Sequence, residues 1–234
     1  MESFIPRFLS NLHIEFLIHG NMSQKDSLRL SEIVIDHLTQ HMHTRPLLPS
    51  QMLRQREHQL PSRTSWACHK ENNVHKSSAV GTYYQCGMQS THENTLLELI
   101  GQIFAEPAFD ELRTKEQLGY IVWCGLRRSN GTQGLRIIVQ GNYNPSYLDS
   151  RIESFLHKMG EYLEEMSEED FLKHREALSK RRLEKPKKLS HLSSKLWLEI
   201  TSNQYQFDRD EREIAHLNTL TKEAVINFYN VSRI

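Results

Sequence analysis

The chain is 234 residues long, about one and a half domains at ~150 residues each, and long enough to bury a sizeable core. Apolar residues make up 38% and charged residues 25%, the balance of a globular protein with a polar surface. Lys+Arg 29 against Asp+Glu 29 leaves a formal charge of zero, and no apolar run approaches the ~18 residues of a membrane-spanning helix, so neither nucleic acid nor membrane is an expected partner.

The first eight residues carry an acid and a proline where a secretory leader would show a basic region and an unbroken apolar stretch. Leu12, Ile14, Phe16 and Ile18 alternate with His13, Glu15 and His19, which predicts a strand over Leu12–Asn21. Ser23 followed by Asp26 resembles a helix cap, and Leu30, Ile33, Val34 and Leu38 then recur at helical spacing until Pro46 and Pro49. A connector is expected to about Ser65. Ala79–Gly87 reads as a strand, and Ser90 with Glu93 caps a helix whose apolar stripe is Leu96, Leu99, Ile100, Ile103 and Phe104, with Pro107 stopping or resetting it.

Gly119–Leu126 and Leu135–Gln140 read as two strands, and Asn130-Gly131 between them favours an antiparallel hairpin. From Asn144-Pro145 the signals are helical: Ile152, Phe155, Leu156 and Met159 form one stripe, Ser167–Asp170 caps the next helix, Pro186 breaks it, and Thr221 opens a last one. The order predicts an α+β fold, an antiparallel-rich sheet covered by helices.

Three cysteines, Cys68, Cys86 and Cys124, are scattered singly in strand-like segments, which predicts buried free thiols and a reducing, cytoplasmic compartment. Among thirteen histidines the nearest approach to a metal motif is His37-Leu-Thr-Gln-His41, which lacks the glutamate a zinc peptidase uses as general base; a solvated helix end is expected there, with weak adventitious metal binding as the alternative. No nucleophile elbow and no glycine-rich phosphate loop occurs.

Charge patterning is more informative. Residues 161–170 hold six acids and residues 173–188 eight bases, with Arg181, Arg182, Lys185, Lys187 and Lys188 bunched around Pro186. Acids at a helix start and bases at its end complement the helix dipole, so a solvated face and a polyanion site are both open readings. The densest cluster is Glu106–Tyr120, which joins a helix to the hairpin. Arg113 offers a fixed cationic fork and Tyr120 a phenol donor, both suited to a developing oxyanion, and Gly119 would let the chain turn sharply. The alternative is a helix end paired by local salt bridges.

Leu112-Arg-Thr-Lys-Glu-Gln-Leu-Gly-Tyr-Ile-Val122 resembles a signature of the insulinase family of inverted-motif zinc peptidases. So do Leu12-His-Ile-Glu15 with His19-Gly-Asn21, Thr44-Arg-Pro-Leu-Leu-Pro-Ser-Gln51, Gly134-Leu-Arg136, Arg181-Arg-Leu-Glu-Lys-Pro-Lys-Lys-Leu-Ser190 and Phe207-Asp-Arg-Asp210, in order along nearly the whole chain. The resemblance implies that residues 1–57 are the C-terminal part of a third insulinase-type domain, and residues 58–234 most of a fourth without its final strand and tail. It implies catalytic roles for Tyr120 and Arg113, with Phe109 helping to hold the substrate side chain after the scissile bond. It implies a polyanion site for ATP or other polyphosphates at Arg136, Arg181, Lys185, Lys187 and Lys188. The family's His-x-x-Glu-His motif is absent from this sequence. Zinc is therefore expected from an N-terminal half of the same enzyme rather than from this chain, which would be silent alone towards peptides such as insulin. The alternative is a non-catalytic peptide-binding or decoy module that pairs with that half.

Overall fold

A computed structural model describes every residue except Arg54, Ser62, Arg63, Arg233 and Ile234. In chain order its elements are α1 (Phe4–Leu9), β1 (Asn11–Leu12), α2 (Gln24–His41), β2 (Arg45–Pro46), a short turn (Pro49–Gln51), β3 (Ser78–Met88), α3 (Thr91–Ala108), a π-helical turn (Phe109–Lys115), β4 (Ile121–Ser129), β5 (Thr132–Gly141), α4 (Pro145–Glu165), α5 (Glu168–Leu183), α6 (Leu189–Thr201), α7 (Arg209–Leu217) and α8 (Lys222–Ser232). They divide into two units: Met1–Arg56 with Lys185–Phe207, and Glu57–Glu184 with Asp208–Ile234.

The second unit is the α+β fold that the alternation of elements predicts. Its sheet runs β3-β5-β4 with both pairs antiparallel. Leu135, Ile137 and Val139 bury one face of the central strand, and the predicted stripes of α3 and α4 are all buried with them. Helix starts follow the expected chemistry: Ser90 Oγ accepts from Glu93 N at 3.1 Å, Ser167 Oγ from Asp170 N at 3.1 Å, and Asn144 Oδ1 from Ser146 N at 2.9 Å with Pro145 in the first turn. The hairpin turns on Asn130 (φ 49°) and Gly131 (φ 79°), and two successive left-handed residues are what a two-residue turn of this hand requires. Both strands run right up to that turn, so Arg127, Arg128, Thr132 and Gln133 are paired strand residues and not a loop. The expected connector is tethered at its end, since Gln85 accepts from Leu60 N at 3.0 Å and donates to His58 O at 2.8 Å.

In the first unit the predicted strand is much shorter. Only Asn11 and Leu12 pair, in parallel with Arg45 and Pro46, and residues 13–19 form no ladder. A strand persists only while a neighbour satisfies its backbone groups, and the turn at Pro49–Gln51 carries the neighbouring segment away. Within this unit His19 Nδ1 meets Ser193 Oγ at 2.7 Å and Tyr205 donates to Glu15. Neither α1 nor α2 buries a residue, and Phe4, Phe8, Leu30 and Ile33 are exposed.

Candidate functional site

Pro107 does not end α3; the helix continues to Ala108 and then widens into the π-helical turn, where Glu116 N donates to Glu111 O at 2.9 Å. The missing N–H of proline leaves the helical ladder short of a bond just before it widens, and such insertions commonly mark functional positions. Two consequences follow for the side chains. Leu112 is driven into the core, and Phe109 and Arg113 come to lie on one face.

Leu118 N closes the turn on Leu112 O at 3.0 Å, and the left-handed residue is Gln117 (φ 52°), not Gly119. Gly119 has a different task from the sharp turn expected of it. A Cβ on Gly119 would stand 1.8 Å from the carbonyl oxygen of Gln140, and one on Gly141 would stand 1.8 Å from that of Leu118. The two glycines lie back to back, so the chain entering β4 is pressed against the end of β5. Tyr120 is the next residue and leaves this crossing with its ring 82% exposed.

The three residues named from the sequence meet here. The Arg113 guanidinium carbon lies 4.7 Å from the centroid of the Phe109 ring and 4.8 Å from that of Tyr120. Each ring attracts the cation by its quadrupole, about 0.5–1 kcal/mol apiece at exposed sites. The neighbouring charges are engaged elsewhere, as the salt-bridge reading anticipates: Lys115 pairs with Asp110 at 2.8 Å, Lys158 with Glu111, and Arg151 with Glu116 at 2.6 Å. Lys158 and Lys115 hold the Glu111 carboxyl below its ordinary range, chiefly through the Lys158 hydrogen bond. Among the described residues no carboxylate lies within ion-pairing distance of Arg113, so its N–H groups remain open to an acceptor. Tyr120 also lines a pocket of about 450 Å³ with Gln117, Gln140, Asn142, Tyr143 and Ser77. Sequence reading missed Gln140, Tyr143 and Ser77, because they reach the pocket from the ends of other strands and carry no local signal.

Within the basic cluster around Pro186, Arg182 is taken up by carboxylates. Arg182, 10% exposed, donates to Glu98, pairs with Asp210 at 3.2 Å and with Glu213 at 2.5 Å, and Glu213 is wholly buried. Burial alone would lower the guanidinium pKa, but the Glu98 hydrogen bond and the charges of Glu98, Glu213 and Asp210 outweigh it and raise it. Arg128 and Arg209 join the same carboxylates at 3.7 and 3.4 Å, and burial lowers the Arg128 pKa despite them. Arg182 is therefore a core residue joining α3, α5 and α7. Arg181 is exposed and 3.9 Å from Glu98, and Arg136 is exposed on β5 opposite Tyr83. Lys185, Lys187 and Lys188 are exposed and belong to the first unit, since the division falls between Glu184 and Lys185.

No three His, Cys, Asp or Glu side chains converge to hold a metal ion among the described residues, so they do not fit a zinc peptidase centre, which takes three protein ligands. His37 and His41 are exposed at the end of α2. Cys86 and Cys124 are half-buried strand residues whose thiols burial pushes up to about 11 and about 12; Cys68 is exposed and outside any strand, against expectation. With no neighbour able to shield it in that irregular stretch, a small apolar side chain stays in solvent.

The chain is 54% identical over 229 residues to the insulin-degrading enzyme of Homo sapiens, an alignment that covers 98% of this chain and 22% of that protein. It thus spans about a fifth of the length of the curated relatives it matches. Residues 99–197 match the family described as PQQ synthase PqqF-like, C-terminal lobe domain 4. The fold is similar to that of pitrilysin, with a TM-score of 0.74 at 23% identity over 90% of this chain and 22% of that one. It is also similar to an M16 peptidase inactive domain from Pseudomonas fluorescens, with a TM-score of 0.60 at 15% identity over 91% of this chain and 48% of that one.

Proposed function

Because the chain belongs to the insulinase family of peptidases, we propose that it is the substrate-facing C-terminal segment of a zinc endopeptidase, with metal and general base contributed by an N-terminal half outside it. The observation that carries this reading is the Arg113 guanidinium held against both the Phe109 and Tyr120 rings, with no carboxylate partner among the described residues. A cation fixed by stacking gives up little conformational freedom when it binds an acceptor, which suits it to a charge that develops during reaction. In this reading Tyr120 donates its phenol hydrogen to the oxygen of the scissile carbonyl as negative charge accumulates there. Arg113 donates to the same region of the substrate, and the exposed face of Phe109 receives the side chain that follows the scissile bond.

Residues 1–57 are proposed to close a third domain and residues 58–234 to make up most of a fourth. The exposed apolar residues of α1 and α2 support an adjoining surface outside this segment. Polyphosphate binding is assigned to the exposed Lys185, Lys187 and Lys188 of the first unit; Arg136 and Arg181 are, separately, exposed cations of the second, and Arg182 is not among them. Calorimetry with ATP checks it: Lys187→Ala combined with Lys188→Ala abolishes the binding heat, and an undiminished heat refutes the assignment.

A second reading, a non-catalytic module that binds peptides or occupies the partner half, is favoured by the donor set, which offers no three-ligand metal site among the described residues. Mixing the purified chain with a separately produced zinc-bearing half and a fluorogenic peptide separates the two. Restored cleavage supports the enzyme segment; binding with inhibition supports the module. Cleavage by the chain alone, lost in Tyr120→Phe, contradicts both.

A further inference from the structure

His92 stands in the first turn of α3 and His216 in the last turn of α7, 124 residues apart, and their nitrogens Nδ1 and Nε2 lie 2.8 Å from each other. The rings meet edge to face with centroids 5.1 Å apart, and the contact is exposed. Two residues beyond His92 and three before His216, the buried Asn94 side chain donates to Glu213 Oε1 at 2.7 Å, so the two helices are pinned together directly beside the pair. We propose that His92 and His216 form a surface site for a divalent transition metal, a clamp between α3 and α7 completed by water.

Two imidazole nitrogens at metal bonds of about 2.0–2.1 Å stand roughly 2.9 Å apart in neighbouring corners of a square and roughly 3.3 Å apart in a tetrahedron. The 2.8 Å contact is a hydrogen bond between the two rings, so a metal takes the place of the shared proton; the short span suits neighbouring corners of a square, the arrangement of Cu(II) and Ni(II), with less opening than tetrahedral zinc requires. Rotation about the last torsion of the exposed His92 and the half-buried His216 turns both lone pairs towards a common point, and that torsion is soft in histidine. Among divalent first-row ions Cu(II) binds such nitrogen sites most tightly. The other histidine pair, His37 and His41, sits on one helix with ring centroids 4.8 Å apart and is the internal competitor.

The test is titration of the full chain with Cu(II) and Ni(II), followed by calorimetry and by the nitrogen couplings of bound Cu(II) in electron paramagnetic resonance. The site predicts two equatorial imidazole nitrogens per copper and a higher melting temperature with metal. His92→Gln or His216→Gln should each weaken the tight phase by on the order of 10–100-fold or more, the loss typical even of groups supporting a metal ligand. His37→Gln with His41→Gln should leave it intact. Tight binding that survives in both folded single variants, or that disappears in the His37/His41 variant, overturns the proposal; so does a single-nitrogen copper spectrum in the parent.

Discussion

Two arginines of the second unit, Arg113 and Arg182, both sit in charge-rich stretches of sequence and meet opposite fates. Arg182 is buried and answered by three carboxylates from α3 and α7. Arg113 lies half-exposed between two aromatic rings, while the acids around it pair with Lys115, Lys158 and Arg151. The contrast shows that the local density of charge does not tell whether the surrounding helices supply an arginine with counter-ions.

The comparison breaks first at Arg182. Removing one partner of a buried ion pair leaves the others without compensation, so Arg182→Ala should lose about 3–5 kcal/mol of stability; a urea unfolding curve within experimental scatter of the parent would show that Glu98 and Glu213 do not depend on it. Thiol chemistry reads the same event. In the parent at pH 8, Cys68 should react with a disulfide reagent in a fast phase and Cys86 and Cys124 in a slow one, because burial keeps the latter two protonated and the thiolate is the nucleophile. The slow phase should quicken as pH rises towards about 11, and in Arg182→Ala it should quicken at fixed pH.

On the Arg113 side, Gly119→Ala forces a methyl onto the Gln140 carbonyl. Overpacking against backbone costs about 1–3 kcal/mol or more and should displace Tyr120, visible as lost activity in a reassembled enzyme together with a lower melting temperature. Smallest is Arg181→Ala, a surface pair at 3.9 Å, expected within about 0.5 kcal/mol of the parent. A loss as large as that of Arg182→Ala would erase the distinction between the two neighbours.

Much of the second unit was legible in its sequence. Ser90, Asn144 and Ser167 mark helix starts by hydrogen-bond chemistry that acts over three residues, and Asn130-Gly131 marks a turn by its backbone freedom alone. Phe109, Arg113 and Tyr120 were singled out through the resemblance of their segment to a known family; the structure adds that Arg113 lies over both rings. What stayed hidden depends on distant partners. Arg182 looked like a member of a surface cluster because Glu98 and Glu213 are far away in sequence. Residues 13–19 looked like a strand because alternation reports a buried face but not whether a neighbour supplies the ladder. Gly119 looked like a turn residue, and only the approach of Gly141 shows why no side chain fits there.

The central claim is that Arg113 is held for substrate rather than for the fold. It is tested most directly by the turnover of Arg113→Ala in the enzyme reassembled with a zinc-bearing half, alongside the melting temperature of the variant chain. The account predicts that kcat falls by about 10²–10³, the usual consequence of losing a donor to a developing oxyanion, while the melting temperature falls by no more than the few degrees that two exposed ring contacts account for. An undiminished kcat, or a loss of activity that follows a loss of fold, would contradict it.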